Sequence, residues 1–320
     1  MNARLALYGW IARHGVDPER SRALWRLAGF GAEPPALAQR LRSAVAVAAA
    51  ALGGLGLILW LAANWGDLGR AGRFALLQGA LLALCAGAAP RTRARVPCAL
   101  MALLCIGALF AYFGQTYQTG ADPWQLFALW ALLALPLGLA TRSDVLWAPW
   151  ALVVSVGLSL WLYAYTGHRW RVEPQDIPAY LLAWLAGAGL VAFLGPLARR
   201  ATGAGRWALR TAAACVVLLV TLPALAALLQ THVPPHYALA VLLLAAAAAA
   251  AALLRRRAFD VFLLSVVALG LDALLVAGAA RLLLEDHADV AGRLLVLGLL
   301  AAGLLALTVS GITRLVKRHG

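Results

Sequence analysis

The sequence predicts an all-α polytopic membrane bundle of about ten spans, preceded by a short helical hairpin. Three observations carry this expectation. Ten apolar stretches run through the 320-residue chain, and a segment of about twenty apolar residues matches the hydrocarbon thickness of a bilayer. Charged residues make up 12% of the chain and hydrophobic ones 63%, where soluble domains carry roughly 25% charge. The basic residues also alternate from loop to loop in the way that orients a multi-span protein.

Residues 1–42 form the extramembrane lead-in and carry no signal-peptide pattern, so no segment is expected to be removed. Leu5, Tyr8, Trp10 and Ile11 fit an amphipathic helix that ends near Gly15. Asp17-Pro18-Glu19 then opens a second helix, with an acid at the cap, Pro in the first turn and a further acid beside it. Leu24, Trp25 and Leu27 supply its apolar face. Such a hairpin suits a membrane surface or a protein partner.

The spans are expected at 43–63, 73–89, 97–113, 124–140, 146–166, 179–197, 209–229, 237–254, 259–280 and 292–312. We group residues 43–140 as the first four spans, 141–312 as six more, and 313–320 as a basic tail. With an even number of spans both termini share one side. That side then holds 21 of the 27 basic residues, which makes it the cytoplasm. Of the acids, Asp67, Asp122, Glu173, Asp176, Glu285, Asp286 and Asp289 fall in the opposite loops.

Small residues mark the helix faces: Ala49/Gly53, Ala50/Gly54, Gly187, Gly189 and the alanine run 245–252 allow close helix approach. Trp147, Trp150, Trp161 and Trp170 bracket the fifth span as an interfacial belt would. Pro136 and Pro223 lie inside spans, where each frees a carbonyl one turn back. Gly203-Ala204-Gly205 reads as a flexible cytoplasmic loop, and Asp260, beside Arg255, Arg256 and Arg257, as a solvated charge.

The net charge of +14 belongs to short clusters between spans, not to a basic module, so nucleic acid is not an expected partner. Cys85, Cys98, Cys105 and Cys215 sit in or beside apolar spans and read as buried apolar side chains. The histidines are scattered, and no metal or cofactor motif, nucleophile–base pair or phosphate loop can be read. No catalytic residue and no cofactor is therefore expected.

Polar chemistry concentrates in two places. The run Gly114-Gln115-Thr116-Tyr117-Gln118-Thr119-Gly120-Ala121-Asp122-Pro123-Trp124 lies between the third and fourth spans, and Asn64-Trp65-Gly66-Asp67 closes the first. Both fall on the outer side and form a candidate polar mouth of Asn64, Trp65, Asp67, Gln115, Tyr117, Gln118, Thr119, Asp122 and Trp124. Its amides, hydroxyls and carboxylates suit a polar headgroup, a sugar or a cation. A purely structural role has Asp122 capping the helix that follows, with Trp65 and Trp124 as interface anchors. Asp272, near the middle of the ninth span, is the second place. A carboxylate there costs about 2.5–3.5 kcal/mol on insertion scales and requires an interior partner. Gln78, Thr221, Ser155 and Ser159 are the candidates for that partner. A proton or cation relay and a neutral interhelical tie are the two roles open to it.

Ala62-Ala63-Asn64-Trp65, followed by the 114–127 run and Trp130-Ala131-Leu132, resembles the bacterial domain-of-unknown-function family numbered 2157. The lead-in from Trp10 to Gly15 with its Asp-Pro-Glu helix is similar to that family's cytoplasmic start, and the resemblance covers about residues 1–150. It implies a multi-pass protein of the bacterial inner membrane, with the lipid bilayer as its partner, and brings no activity. Three functions remain open: a non-enzymatic binding, sensing or scaffold protein with a polar outer mouth, a transporter using Asp272, or a membrane-embedded enzyme acting on lipid or envelope glycan.

Overall fold

The computed structural model describes residues 3–29, 37–63, 69–89, 94–117, 120, 122–167, 173–253, 260–284 and 290–319. Thirteen α-helices and one 3-10 turn account for nearly all of them. Ten of the helices are long and apolar enough to cross a membrane, the number expected. The chain divides into two compact units, Met1–Ala49 and Ala50–Gly320.

In the first unit, α1 (Ala3–Arg13) and α2 (Pro18–Leu27) form the expected hairpin. Gly15 turns the chain with φ +54°, a conformation glycine adopts without a steric penalty. Pro18 occupies the first turn of α2, where its missing N–H removes no helical bond. Asp17 stands at the cap position, yet its side chain makes no capping hydrogen bond. Tyr8 meets Trp25 edge to face, with ring centroids 4.7 Å apart, and so joins the two helices.

The spanning helices are α3 (Leu37–Ala63), α4 (Arg70–Ala88), α5 (Arg95–Tyr117), α6 (Pro123–Thr141), α7 (Asp144–Thr166), α8 (Ile177–Phe193), α10 (Arg206–Ala227), α11 (His236–Leu253), α12 (Val261–Leu284) and α13 (Val290–His319). The short α9 (Arg199–Thr202) lies in the connection before α10. Helix α5 extends one turn past the expected boundary, so Gly114–Tyr117 are helical and do not form a loop.

Within the second unit α4 packs on α5, α5 on α6 and α6 on α7. Helix α10 is central, with α7, α8, α11 and α12 around it, while α13 packs on α12. The apolar stretch of α13 buries no residue, and α10 buries close to half of its own. Exposed leucines such as Leu294, Leu299 and Leu307 are therefore lipid-facing surface, because hydrocarbon solvates them as well as a protein core would.

One end of this unit is tied by polar contacts. The Asp144 carboxylate accepts hydrogen bonds from Gly205 N at 2.6 Å, Trp207 N at 3.1 Å and Ala208 N at 3.2 Å. Trp147 Nε1 donates to Thr202 O at 2.8 Å, and the Arg142 guanidinium to Arg200 O. Thr202 and Ala204 are almost fully buried. The 203–205 loop is thus packed against the α6–α7 turn, which corrects the flexible loop expected. Gly203 has φ +65°, and a Cβ at Gly205 would overlap the Asp144 carboxylate. Asp260 is likewise not a solvated charge. It is 12% exposed and pairs with Arg210 through two bonds of 3.1 Å. Arg255, Arg256 and Arg257 lie outside the described residues.

The tryptophan belt is corrected too. Trp147 and Trp150 are buried, and Trp150 Nε1 donates to Ala131 O at 2.8 Å. Both rings are packing anchors between helices, and Trp170 lies outside the described residues. Of the two mid-span glycines of α8, Gly187 faces Val216 of α10, while Gly189 has open space beside it.

Candidate functional site

The described part of the predicted mouth is built by the end of α5 and the start of α6. The two ends meet where a Cβ at Gly114 would touch Leu126 at 3.1 Å. Gln115 and Tyr117 occupy the last turn of α5, both exposed. The Tyr117 ring lies 4.9 Å from Phe113 and 5.9 Å from Phe74 of α4. Asp122 is exposed at the cap position of α6, with Pro123 in the first turn, but its carboxylate makes no capping bond. Trp124 departs from the group: it is half-buried and lines an apolar cavity with Phe127, Gly157 and Trp161. Asn64, Trp65, Asp67, Gln118 and Thr119 lie outside the described residues.

Asp272 is buried in α12, and the structure supplies a partner that the sequence reading missed. Thr308 Oγ1 of α13 donates to Asp272 Oδ1 at 3.1 Å. The other oxygen, Oδ2, is buried without a partner among the described residues. None of the four expected partners holds this carboxylate. Gln78 is exposed on α4, Thr221 packs beside Gly270, and the Ser159 hydroxyl bonds Ser155 O on its own helix. Neither Asp272 nor any described residue of 114–122 lines one of the five main cavities. Thr308 was legible only as one of the few polar residues in an otherwise apolar tenth span.

A second polar constellation lies between α7, α8, α10 and α11. A cavity of about 340 Å³ opens there, with Ser155, Ser159 and Thr166 of α7 on one stripe, since positions four and seven apart share a helix face. Tyr163 of α7, Tyr180 of α8 and Cys215 of α10 complete its polar lining. Ser155 Oγ is buried beside the Cys215 thiol of α10.

Tyr180 also stacks on His236, ring centroids 5.4 Å apart and interplanar angle 12°. His236 opens α11 and is fully buried. Its ring faces the Pro223 carbonyl, but neither nitrogen attains hydrogen-bond geometry with a described residue. The 155/159/166 spacing was readable in the sequence, but the facing of α10 was not. Among the described residues no group of three His, Cys, Asp or Glu is placed to hold a metal ion.

The resemblance read from the motifs has a counterpart in the family comparison. Residues 8–147 match the model of DUF2157, a family of predicted membrane proteins. The match runs from α1 into the first turn of α7 and holds both sequence runs that carried the resemblance. No curated protein and no solved structure matches the chain.

The DUF2157 region now divides by role. Trp130 lies against Gly107, where a Cβ would overlap the indole, and its Nε1 donates to Leu103 O at 2.8 Å. Tyr112 is buried and donates to Arg70 O at 3.3 Å, and Cys105 Sγ donates to Leu77 O at 3.3 Å. These groups are engaged in holding α4, α5 and α6 together. Gln115 and Asp122 have no such role among the described residues. The cavity between α7, α8 and α10 lies beyond the matched residues.

Proposed function

We propose that this is a non-catalytic binding or sensing protein of the bacterial inner membrane, which takes a polar ligand at an outer mouth formed by the end of α5 and the start of α6. One observation carries the reading. Within the DUF2157 region Cys105, Gly107, Tyr112 and Trp130 are absorbed by packing, whereas Gln115, Tyr117 and Asp122 present exposed polar groups, and the Asp122 carboxylate does not cap α6. Polar side chains at a membrane boundary that the fold does not use are available for recognition. Asn64, Asp67, Gln118 and Thr119 are the sequence candidates to complete the mouth.

Cytoplasmic termini are part of the proposal. The loops expected on that side are joined to one another through Arg142, Asp144, Arg210 and Asp260, which supports their sharing one face. The α1–α2 hairpin, with its apolar Leu5 and Leu27 exposed, is then positioned for a cytoplasmic partner or the inner leaflet. The transport reading loses ground, because Asp272 is held by Thr308 and lines no main cavity. As a tie between α12 and α13 it meets the requirement that an intramembrane acid find a partner.

Native mass spectrometry of the detergent-purified protein tests the mouth. Asp122→Ala or Gln115→Ala is expected to lose a lipid or sugar that co-purifies with the wild type. An identical ligand set in both variants would refute the assignment.

A further inference from the structure

The connection from α8 to α10, residues 194–205, is fastened to the α6–α7 turn along its length. The Arg142 guanidinium donates to Arg200 O, Trp147 Nε1 to Thr202 O at 2.8 Å, and Gly205 N to the Asp144 carboxylate at 2.6 Å. Within the connection, Thr202 Oγ1 donates to Ala198 O at 3.2 Å and accepts from Ala204 N at 3.1 Å. Arg142 also packs against Gly203, where a Cβ would overlap it. The backbone of residues 198–206 is therefore held in one shape.

That backbone presents positive charge beside apolar surface. Arg142, Arg199, Arg200 and Arg206 are all exposed. The guanidiniums of Arg199, Arg200 and Arg206 donate to no described residue. The carboxylate nearest to them in the fold, Asp144, is engaged by backbone N–H groups. Leu197, 97% exposed, stands two residues before Arg199, and Trp207, 67% exposed, follows Arg206. The Trp207 ring is held by Arg210, whose guanidinium carbon lies 5.5 Å from its centroid. Helix α8 ends at Phe193 and α10 starts at Arg206, so the segment lies at the membrane boundary. There an exposed leucine and tryptophan are covered by lipid, and arginines beside them reach the level of the headgroup phosphates.

We propose that this fastened loop is a binding site for an anionic phospholipid, with its phosphate held by Arg199, Arg200 and Arg206 and its chains against Leu197 and Trp207. A free phosphate would use the arginines but leave the two apolar side chains uncovered, which is the reason for assigning a lipid. A backbone fixed in advance lowers the ordering cost of binding. It also sets this cluster apart from Arg314 and Lys317, which stand exposed on the end of a single helix. The site is separate from the α5–α6 mouth and does not depend on it. The orientation proposed above decides only that the leaflet is the inner one.

Binding is measured on the full-length protein in a neutral detergent by native mass spectrometry, so no result depends on which leaflet the site faces. The probes are dioleoylphosphatidylglycerol and dioleoylphosphatidylcholine, which share their chains and differ in charge. The wild type is expected to bind phosphatidylglycerol more tightly. An arginine near a lipid surface contributes roughly fivefold. Arg199→Gln, Arg200→Gln and Arg206→Gln combined should therefore weaken that binding on the order of a hundredfold. All three side chains are exposed, so their replacement leaves the contacts of the fold in place. Arg314→Gln combined with Lys317→Gln should change it by less than about twofold. Glycerophosphate, which carries the phosphate without chains, should not displace the lipid at equal concentration. Equal binding of the two lipids, an unchanged affinity in the triple variant, an equal loss in the double variant, or displacement by glycerophosphate would each overturn the proposal.

Discussion

Replacing Asp144 by alanine should be among the most damaging single changes at the polar end of the bundle. Its carboxylate holds three backbone N–H groups at the start of α10, at 2.6, 3.1 and 3.2 Å. The first four N–H groups of any helix lack an intrahelical acceptor, and the residue at the cap position of α10 is Gly205, which has no side chain to supply one. Asp144 therefore caps α10 from a different helix. Loss of an ordinary cap costs about 0.5–2 kcal/mol, and loss of the charge interaction with the helix dipole adds about 0.3–1 kcal/mol. Three bonds go at once, although the donors nearest the surface regain water. A total of about 2–4 kcal/mol follows. Asn keeps one accepting oxygen and should lose roughly half of that. Reversible unfolding in mixed detergent micelles, followed by tryptophan fluorescence, measures the change. Asp122→Ala is the internal control. Asp122 stands at the equivalent place before α6 but makes no capping bond, so its loss should cost under about 0.5 kcal/mol. Equal costs for the two variants would refute the reasoning.

Four further outcomes are expected. Gly107→Ala should destabilise by about 1–3 kcal/mol through overlap with the Trp130 indole. Trp130→Phe, which removes only the bond to Leu103 O, should cost about 1 kcal/mol in the same unfolding assay. Thr308→Val and Asp272→Asn should each cost less than about 1.7 kcal/mol, the upper range for interhelical hydrogen bonds in membranes. In proteoliposomes, a loss of solute or proton flux in Asp272→Asn with the fold intact would restore the transport reading. Finally, single cysteines at the exposed positions Asp122 and Leu197, in a cysteine-free background, report the topology. In spheroplasts a membrane-impermeant thiol reagent should modify the first and spare the second, and the reverse pattern would invert the map.

The sequence by itself determined the solvent and the secondary structure. Each span satisfies its backbone groups internally and transfers its side chains into hydrocarbon, so length and composition of a segment suffice to predict it. The α1–α2 turn was equally legible, because Gly15 and Pro18 restrict the chain locally. What only the tertiary structure decided is which face of each helix meets which neighbour. In α6, α8, α11 and α12 apolar residues surround the whole helix, so no stripe in the sequence marks an interior side. For that reason Trp147 and Trp150 read as interface residues although they are buried, and Asp272 had four plausible partners, none of them Thr308. Asp144 meets acceptor-less N–H groups more than sixty residues away, and Ser155 lies beside Cys215 of α10. Contacts of this kind depend on helix rotation and neighbour identity, which an evenly apolar segment does not encode in any local pattern.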